Sequence, residues 1–517
     1  MGEGTIKKRP LFLVILGFLI LIFASPAYSW QGRMAGMGDP YGLLDDESDF
    51  LIHPGLLKGE ESKFYSNYRF NYRDVMYWNY TLDRISLVHP VRFRFAFKTS
   101  GDEKDHDALL GTTLPLGQGS MGLFFQYTGN RGHYNGHENE WAGQPLLHQY
   151  SLKSDLNTFS SRLLYSLPLG DLSLGSEIQL SYRNDENRIF FVMDNGIGGY
   201  LFYINPPIGR LFHDRLNLLP FMFPWDSKYW EALLKGSIAG QFGPTKITLT
   251  LQGSFIFQGK NKYDHMRLLI PGLSEWLTLN GNVKGWDVGG NLWLTYSLTK
   301  DLSFPFLLKI AYEKKTRDGD GSGTADLAAF YFDYKNREEV SQIEVGGGVD
   351  KEFTKGTRGA VGIYYGYIQE KGNFFFVNPL PLALPTFDFK NYPNHKEHQI
   401  LARLSGEKIF YPSITIRMGF TIFYSWVRED FEFNYSDIIN SVNYIDRVSL
   451  DGPRRGISAS VGGTVKFQRF SLEPFVTGGY QRFDLAGDGI NIIFNERIEM
   501  DRSRKEWFIG GGLSILF

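Results

Sequence analysis

The sequence predicts one all-β protein: a transmembrane antiparallel β-barrel of about 16 strands (range 14–18) with a plug segment on its periplasmic side. Three observations predict it. Run after run alternates apolar and polar residues with period two. Short connections alternate strictly with long ones. A leader precedes the chain, yet no later stretch is apolar enough for a membrane helix, so an exported chain of this kind either is soluble or spans an outer membrane as strands.

Lys7, Lys8 and Arg9 precede the apolar run from Leu11 to Ala24, and Ala27 and Ser29 follow at small-residue spacing. A spanning helix needs ~20 apolar residues, and this run is shorter and has the flanks of a secretory signal. Residues 1–29 are therefore read as a signal peptide, 30–61 as a plug segment and 62–517 as the barrel.

The segment from 32 to 57 reads GRMAGMGDPYGLLDDESDFLIHPGLL. Gly36, Gly38 and Gly42 permit tight turns, and Pro40 and Pro54 rule out regular sheet. Asp45, Asp46, Glu47 and Asp49 crowd carboxylates together. A barrel of this size has a lumen too wide for its own side chains to fill. The expectation is that the segment enters the lumen, with Asp45, Asp46, Asp49, His53 and Pro54 at the gate. Its carboxylates would face the inward arginines Arg69, Arg73, Arg183, Arg403 and Arg417. The bland alternative is an exposed acidic linker.

From residue 62 onward the strands follow. In DLSLGSEIQLSYR (171–183), Leu172, Leu174, Ile178, Leu180 and Tyr182 share one face, and Glu177, Gln179, Ser181 and Arg183 the other. KITLTLQGSFIF, WDVGGNLWLTYSL, ITIRMGFTIFYSW and ISASVGGTVKF behave alike. Most runs reach the ~9–11 residues that a tilted strand needs to cross a bilayer, whereas strands of soluble sheets average ~5–6. Sixteen segments satisfy the even count of such barrels, and the run 91–98 is placed as an extension of the first outer loop. SLPLGD, FGPT, LTKD and KFQRF are short turns. The connections between them, such as 184–227, 259–284 and 314–340, are long. The wet rows (Asn67, Arg69, Asn71, Arg73; Ser458, Ser460, Thr464, Lys466) face the lumen. The chain closes on GLSILF, with Leu513, Ile515 and the terminal Phe517 alternating as a final lipid-facing strand requires.

Two outer loops are unusually apolar. One, 190–225, holds Phe202, Phe212, Phe221, Phe223 and Trp225; the other, 374–387, holds Phe375. An exposed apolar patch marks a binding site, so these are the candidate capture residues; a lid of two loops packed on each other is the alternative.

Composition narrows the chemistry. The 517-residue chain has a formal net charge of -2 and no long basic block, which gives no reason to expect nucleic acid. With no cysteine it has no disulfide, thiol nucleophile or attached c-type haem. DGDGSGTAD (318–326) offers Asp318, Asp320 and Asp326 at calcium-loop positions, but Ala329 stands where the closing acid belongs. HYNGHENE (133–140) reads as a solvated outer loop. No nucleotide or nucleophile motif is present, and no enzyme activity, cofactor or metal is expected.

The opening segment resembles that of the outer-membrane transporters for hydrophobic compounds, the long-chain fatty-acid and toluene transporter family. Met37-Gly38 matches that family's Met-Gly and Asp45-Asp46 its acidic pair; His53-Pro54-Gly55 stands where the family has Asn-Pro-Ala. The resemblance implies a plug folded into the barrel and a greasy capture groove in the outer loops. The expected function is a barrel in the bacterial outer membrane, embedded in its lipid, for passive uptake of small hydrophobic compounds. Two rivals remain open: a general porin for polar solutes, and a barrel that sheathes a protein partner such as a multihaem cytochrome or a secretion component in the periplasm or lumen.

Overall fold

Sixteen long strands form one closed antiparallel barrel. The structure, a computed structural model, describes residues 34, 35, 37, 43, 44, 47–57, 62–86, 92–141, 147–194, 200–202, 225–270, 273–325, 328–377, 387–391, 393–437, 442–491 and 496–517. The proposed leader, Asp45, Asp46, Phe212, Phe221, Phe223 and Asp326 lie outside the described residues.

The first half of the sheet comprises β1 (Lys63–Ser86), β2 (Arg92–Leu116), β3 (Gly119–Trp141), β4 (Leu147–Leu169), β5 (Leu172–Asp194), β6 (Tyr200–Phe202), β7 (Trp225–Phe242), β8 (Thr245–Ile270) and β9 (Leu273–Thr299). The second half comprises β10 (Leu302–Ala325), β11 (Ala328–Thr354), β12 (Thr357–Val377), β13 (Phe387–Asn391), β14 (Asn394–Tyr411), β15 (Ile414–Asp437), β16 (Val442–Lys466), β17 (Ser471–Asn491) and β18 (Glu496–Leu516). Two of these are short. β6 pairs with β5 beyond the end of the β5–β7 ladder, and β13 bridges β12 and β15 beyond β14. The break between β13 and β14 falls at Pro393, which has no N–H to give to a ladder.

The strands are longer than their alternating cores. Residues 92–98 of the run 91–98 form the far end of β2, in register with β1 and β3, and add no strand to the count. Where the structure describes them, the stretches read as long loops are mostly strand: β8 and β9 leave only 271 and 272 between them. Alternation in the sequence reports where one face meets an apolar medium. Beyond that zone the ladder continues on its backbone hydrogen bonds, whatever the side-chain pattern. Residues 318–325 of the DGDGSGTAD stretch are likewise the end of β10, with Asp318 opposite Lys335 and Asp320 opposite Asp333, so the described part is a strand and not an ion-wrapping loop.

Alternation fixes the two faces. Outward Leu251, Ile363 and Met418 are more than 60 % exposed, whereas inward Thr250, Glu473 and Ser514 are fully buried. This inversion is what a barrel in lipid presents. The short-turn end is tight: Gly117, Gly170, Gly243 and Gly356 sit at positive φ, where a side chain would strain the backbone. Closure joins the ends of the chain. Phe64 N donates to Phe517 O at 3.2 Å, Phe517 N donates to Phe64 O at 3.0 Å, and Ser514 Oγ donates to Asn67 Oδ1 at 2.7 Å.

Candidate functional site

Residues 47–57 make two short turns against the inner wall. Glu47–Leu51 is a 3-10 helix, after which Ile52 N and His53 N both donate to Asp49 O, at 3.0 and 2.8 Å. Pro54 opens the second turn, Pro54–Leu56, where its missing N–H is not needed. Leu56 N donates to His53 O and Leu57 N to Pro54 O. The apolar side chains fix the orientation. Phe50, Leu51 and Leu57 pack with wall residues Tyr65, Leu109, Phe124 and Leu164, and the Phe50 ring lies 5.7 Å from Tyr65 and 5.5 Å from Phe124. Met34, Met37, Leu43 and Leu44 pack with Trp293, Leu307 and Tyr364, across the lumen from the first cluster.

Polar contacts then lock the segment. Leu51 O, at the electronegative end of the 3-10 turn, accepts from Arg162 Nη2 at 2.6 Å and from Lys235 Nζ at 3.2 Å. Glu177 holds both cations in place: Arg162 Nε is 2.7 Å from Oε1, and Lys235 Nζ 3.1 Å from Oε2. A buried carboxylate between a buried and a half-buried cation is tolerable because all three are paired. Here the surplus positive charge faces a main-chain carbonyl of the segment.

His53 is fully buried. Its Nδ1 shares a hydrogen bond with Thr250 Oγ1 at 2.7 Å, and its ring meets Trp293 edge-on at 4.3 Å. Burial first, then the nearby Lys235 and Lys246, push the imidazole pKa down to about 3, so it is neutral at pH 7. Gly55 N donates to Ser237 Oγ, and Gly55 O accepts from Ser166 Oγ at 3.5 Å. On the opposite wall Ser405 Oγ donates to Met37 O at 2.9 Å. A cavity of about 360 Å³ remains at the short-turn end, lined by Leu43, Leu56, Lys246, Trp293, Asp350 and Arg358. Another of about 390 Å³ lies among Ala35, Arg69, Asn71, Asp105, Asn130 and Phe508.

The predicted lumen arginines all face inward, but the wall itself engages them. Arg73 pairs with Glu103 at 2.8 Å, and Arg504 joins Glu103 to Glu506. Arg183 pairs with Glu231 at 3.2 Å and Arg417 with Glu407 at 2.6 Å. Arg69 stands over the Phe475 ring and Arg403 over Tyr364. Asp49 is buried, and its carbonyl organises the turn. Farther along the lumen Arg317 ties Glu338 to Asp185, and Arg502 joins Glu429 beside His395. Of the candidate capture residues, Phe202 lies in β6, Trp225 begins β7 and Phe375 lies in β12; the rest fall outside the described residues. Arg162, Lys235, Ser237, Thr250 and Ser405, which hold the segment, were not singled out in the sequence. Each is one wet-face residue among many, and nothing local distinguishes it.

No family model matches the chain, and no curated protein matches it. Among solved structures it is similar to the Pseudomonas putida toluene transporter TodX (12 % identity, 94 % of this chain and 98 % of that one, TM-score 0.37). It is also similar to a Pseudomonas aeruginosa FadL homologue (8 % identity, 96 % and 99 %, TM-score 0.41). The Ralstonia pickettii toluene transporter TbuX gives 12 % identity, 93 % and 98 %, and a TM-score of 0.36.

Proposed function

We propose that this chain is a channel of the bacterial outer membrane, plugged from the periplasmic side by its own residues 30–61, that lets small hydrophobic compounds pass by diffusion. The observation that carries this reading is the seating of the segment: Arg162 and Lys235, held by Glu177, converge on Leu51 O. A free acidic linker would have no use for such a contact. The apolar outer face supports a lipid setting. The hydrophobic substrate class rests on the resemblance of the opening segment and on the greasy composition of 190–225 and 374–387. In this reading Phe202, Phe212, Phe221, Phe223, Trp225 and Phe375 capture the compound, and Asp45, Asp46, Asp49, His53 and Pro54 belong to the gate. Uptake of a fatty acid and of an aromatic hydrocarbon into liposomes holding the purified barrel tests it. Uptake above that of empty liposomes is expected; equal uptake would end the reading.

One observation favours a second reading. The lumen wall is dense with charge, including Glu103, Glu177, Arg317, Glu338, Glu429 and Arg502, all buried. A polar lumen suits a porin for polar solutes. Steady single-channel conductance of the intact protein would favour that reading, and electrical silence would count against it.

A further inference from the structure

On the outer face of the barrel three cations stand side by side. Arg455 lies directly opposite Arg482 across the β16–β17 ladder, and Arg482 opposite Lys505 across β17–β18. Their alternation partners Ile457, Val476 and Trp507 are exposed, while the adjacent Arg504 is buried in the lumen, so the three point outward. Each lies eleven residues from the short-turn end of its strand, at Lys466, Ser471 and Leu516. At ~3.3 Å per residue and a tilt of about 40–45° that is roughly 25–28 Å, the top of the apolar band of an outer-membrane barrel. Tyr424 on β15, directly opposite Arg455, continues the row; just beneath it stand Tyr480 and Trp507, with rings 4.8 Å apart, and below them Val461, Val476 and Ile509.

Like charges directly opposite one another in a ladder repel. Elsewhere on the outer face cations have carboxylates: Lys104 pairs with Asp102, Arg131 with Asp155, Arg428 with Asp430 and, farther from the short turns, Arg447 with Glu432. Arg482 follows suit with Asp484, at 2.6 Å. Asp74, opposite Trp507 on β1, borders the row on its other side. Arg455 departs from the pattern: among the described residues no carboxylate pairs with it.

We propose that Arg455, Arg482 and Lys505 bind the phosphate of lipid headgroups in the outer leaflet of the surrounding membrane. An anion across the row removes the repulsion that the ladder builds in. The guanidinium fork of Arg455 suits a phosphate. The row opens sideways at the top of the apolar band, where a headgroup lies with its acyl chains running down over the aromatic and aliphatic surface; a soluble anion would gain nothing from that surface. The proposal rests on the membrane reading above and not on what the lumen passes, so a failed uptake assay leaves it standing.

The test is native mass spectrometry of the full-length mature protein in neutral detergent with added diphosphoryl lipid A. Wild type should retain it in preference to the monophosphoryl form. R455Q/K505Q should lose about tenfold or more of the bound lipid, since two charge-assisted contacts disappear. R455K, which keeps the charge and loses the fork, should fall between. K260Q/K284Q, at exposed positions elsewhere on the barrel, should bind as wild type does. In lipid-free detergent the melting temperature of R455Q/K505Q should stay level or rise, because the repulsion is gone; a merely structural role would lower it. Equal retention by R455Q/K505Q, equal loss in K260Q/K284Q, or displacement by inorganic phosphate with no preference for lipid would each overturn the assignment.

Discussion

The backbone of Gly55 rests directly on Gly175: a Cβ added at Gly175 would come within 2.0 Å of Gly55 N and 2.5 Å of its Cα. The N-terminal segment thus touches the barrel wall main chain to main chain, at a point where only glycine leaves room. Gly175→Val should lift the segment without harming the barrel, because the added atoms meet nothing but Pro54 and Gly55 among their nearest neighbours. Overpacking of this kind costs about 1–3 kcal/mol. Since the chain has no cysteine, a single Leu51→Cys provides a unique thiol. Its labelling by a water-soluble maleimide should speed up roughly 5- to 150-fold in the Gly175→Val background. Gly236→Ala, where a Cβ meets nothing within 4 Å, should leave the rate unchanged.

The contacts at Leu51 O should be unequal. Arg162 donates at 2.6 Å and is itself clamped by Glu177 through two nitrogens; Lys235 donates at 3.2 Å. A hydrogen bond from a charged donor contributes about 1.5–3 kcal/mol. Arg162→Gln should therefore loosen the segment more than Lys235→Gln does. Hydrogen exchange of the amides from 47 to 57 reads this directly, and the reverse order would contradict the geometry.

Acid should unseat the segment. His53 is neutral when docked, with its pKa held at about 3, and returns toward 6.5 when released. Below 6.5 the released state binds a proton that the docked state does not, so docking weakens as pH falls. The stabilising contribution is complete above pH 6.5 and is lost progressively down to about 3. Thiol labelling at position 51, or channel conductance, should rise across that window. His53→Gln, with nothing to titrate there, should give a flatter profile.

Barrel closure should depend on the last residue. Phe517 exchanges two backbone hydrogen bonds with Phe64, and its ring contacts Phe64 and Phe470 at 6.1 and 5.8 Å. Deleting Phe517 should lower the yield of assembled, heat-modifiable barrel, while Phe517→Tyr should preserve it.

These relationships divide cleanly into those legible in the sequence and those not. The faces of the long strands were legible at their alternating cores: Ile178 and Leu180 outside, Glu177 and Ser181 inside, follow from period two alone. The short turns and the closing strand were legible through Gly170, Gly243 and the GLSILF ending. The partners of the segment were not. Leu51 meets Arg162 and Lys235 across 111 and 184 residues of chain, and no local pattern encodes which inward cation will face which carbonyl. The expected partners Arg73, Arg183 and Arg417 are taken by wall carboxylates one or two strands away, a pairing that depends on register. Strand length was underestimated for the same kind of reason: in β8 and β9 the ladder outlasts the alternation that revealed it.

The most direct test is conductance in planar bilayers, for the full-length protein and for a version lacking residues 32–57. A plug seated as described predicts a silent full-length protein and a conducting truncated one. Equal conductance in both would contradict it and leave an open pore with a periplasmic tail.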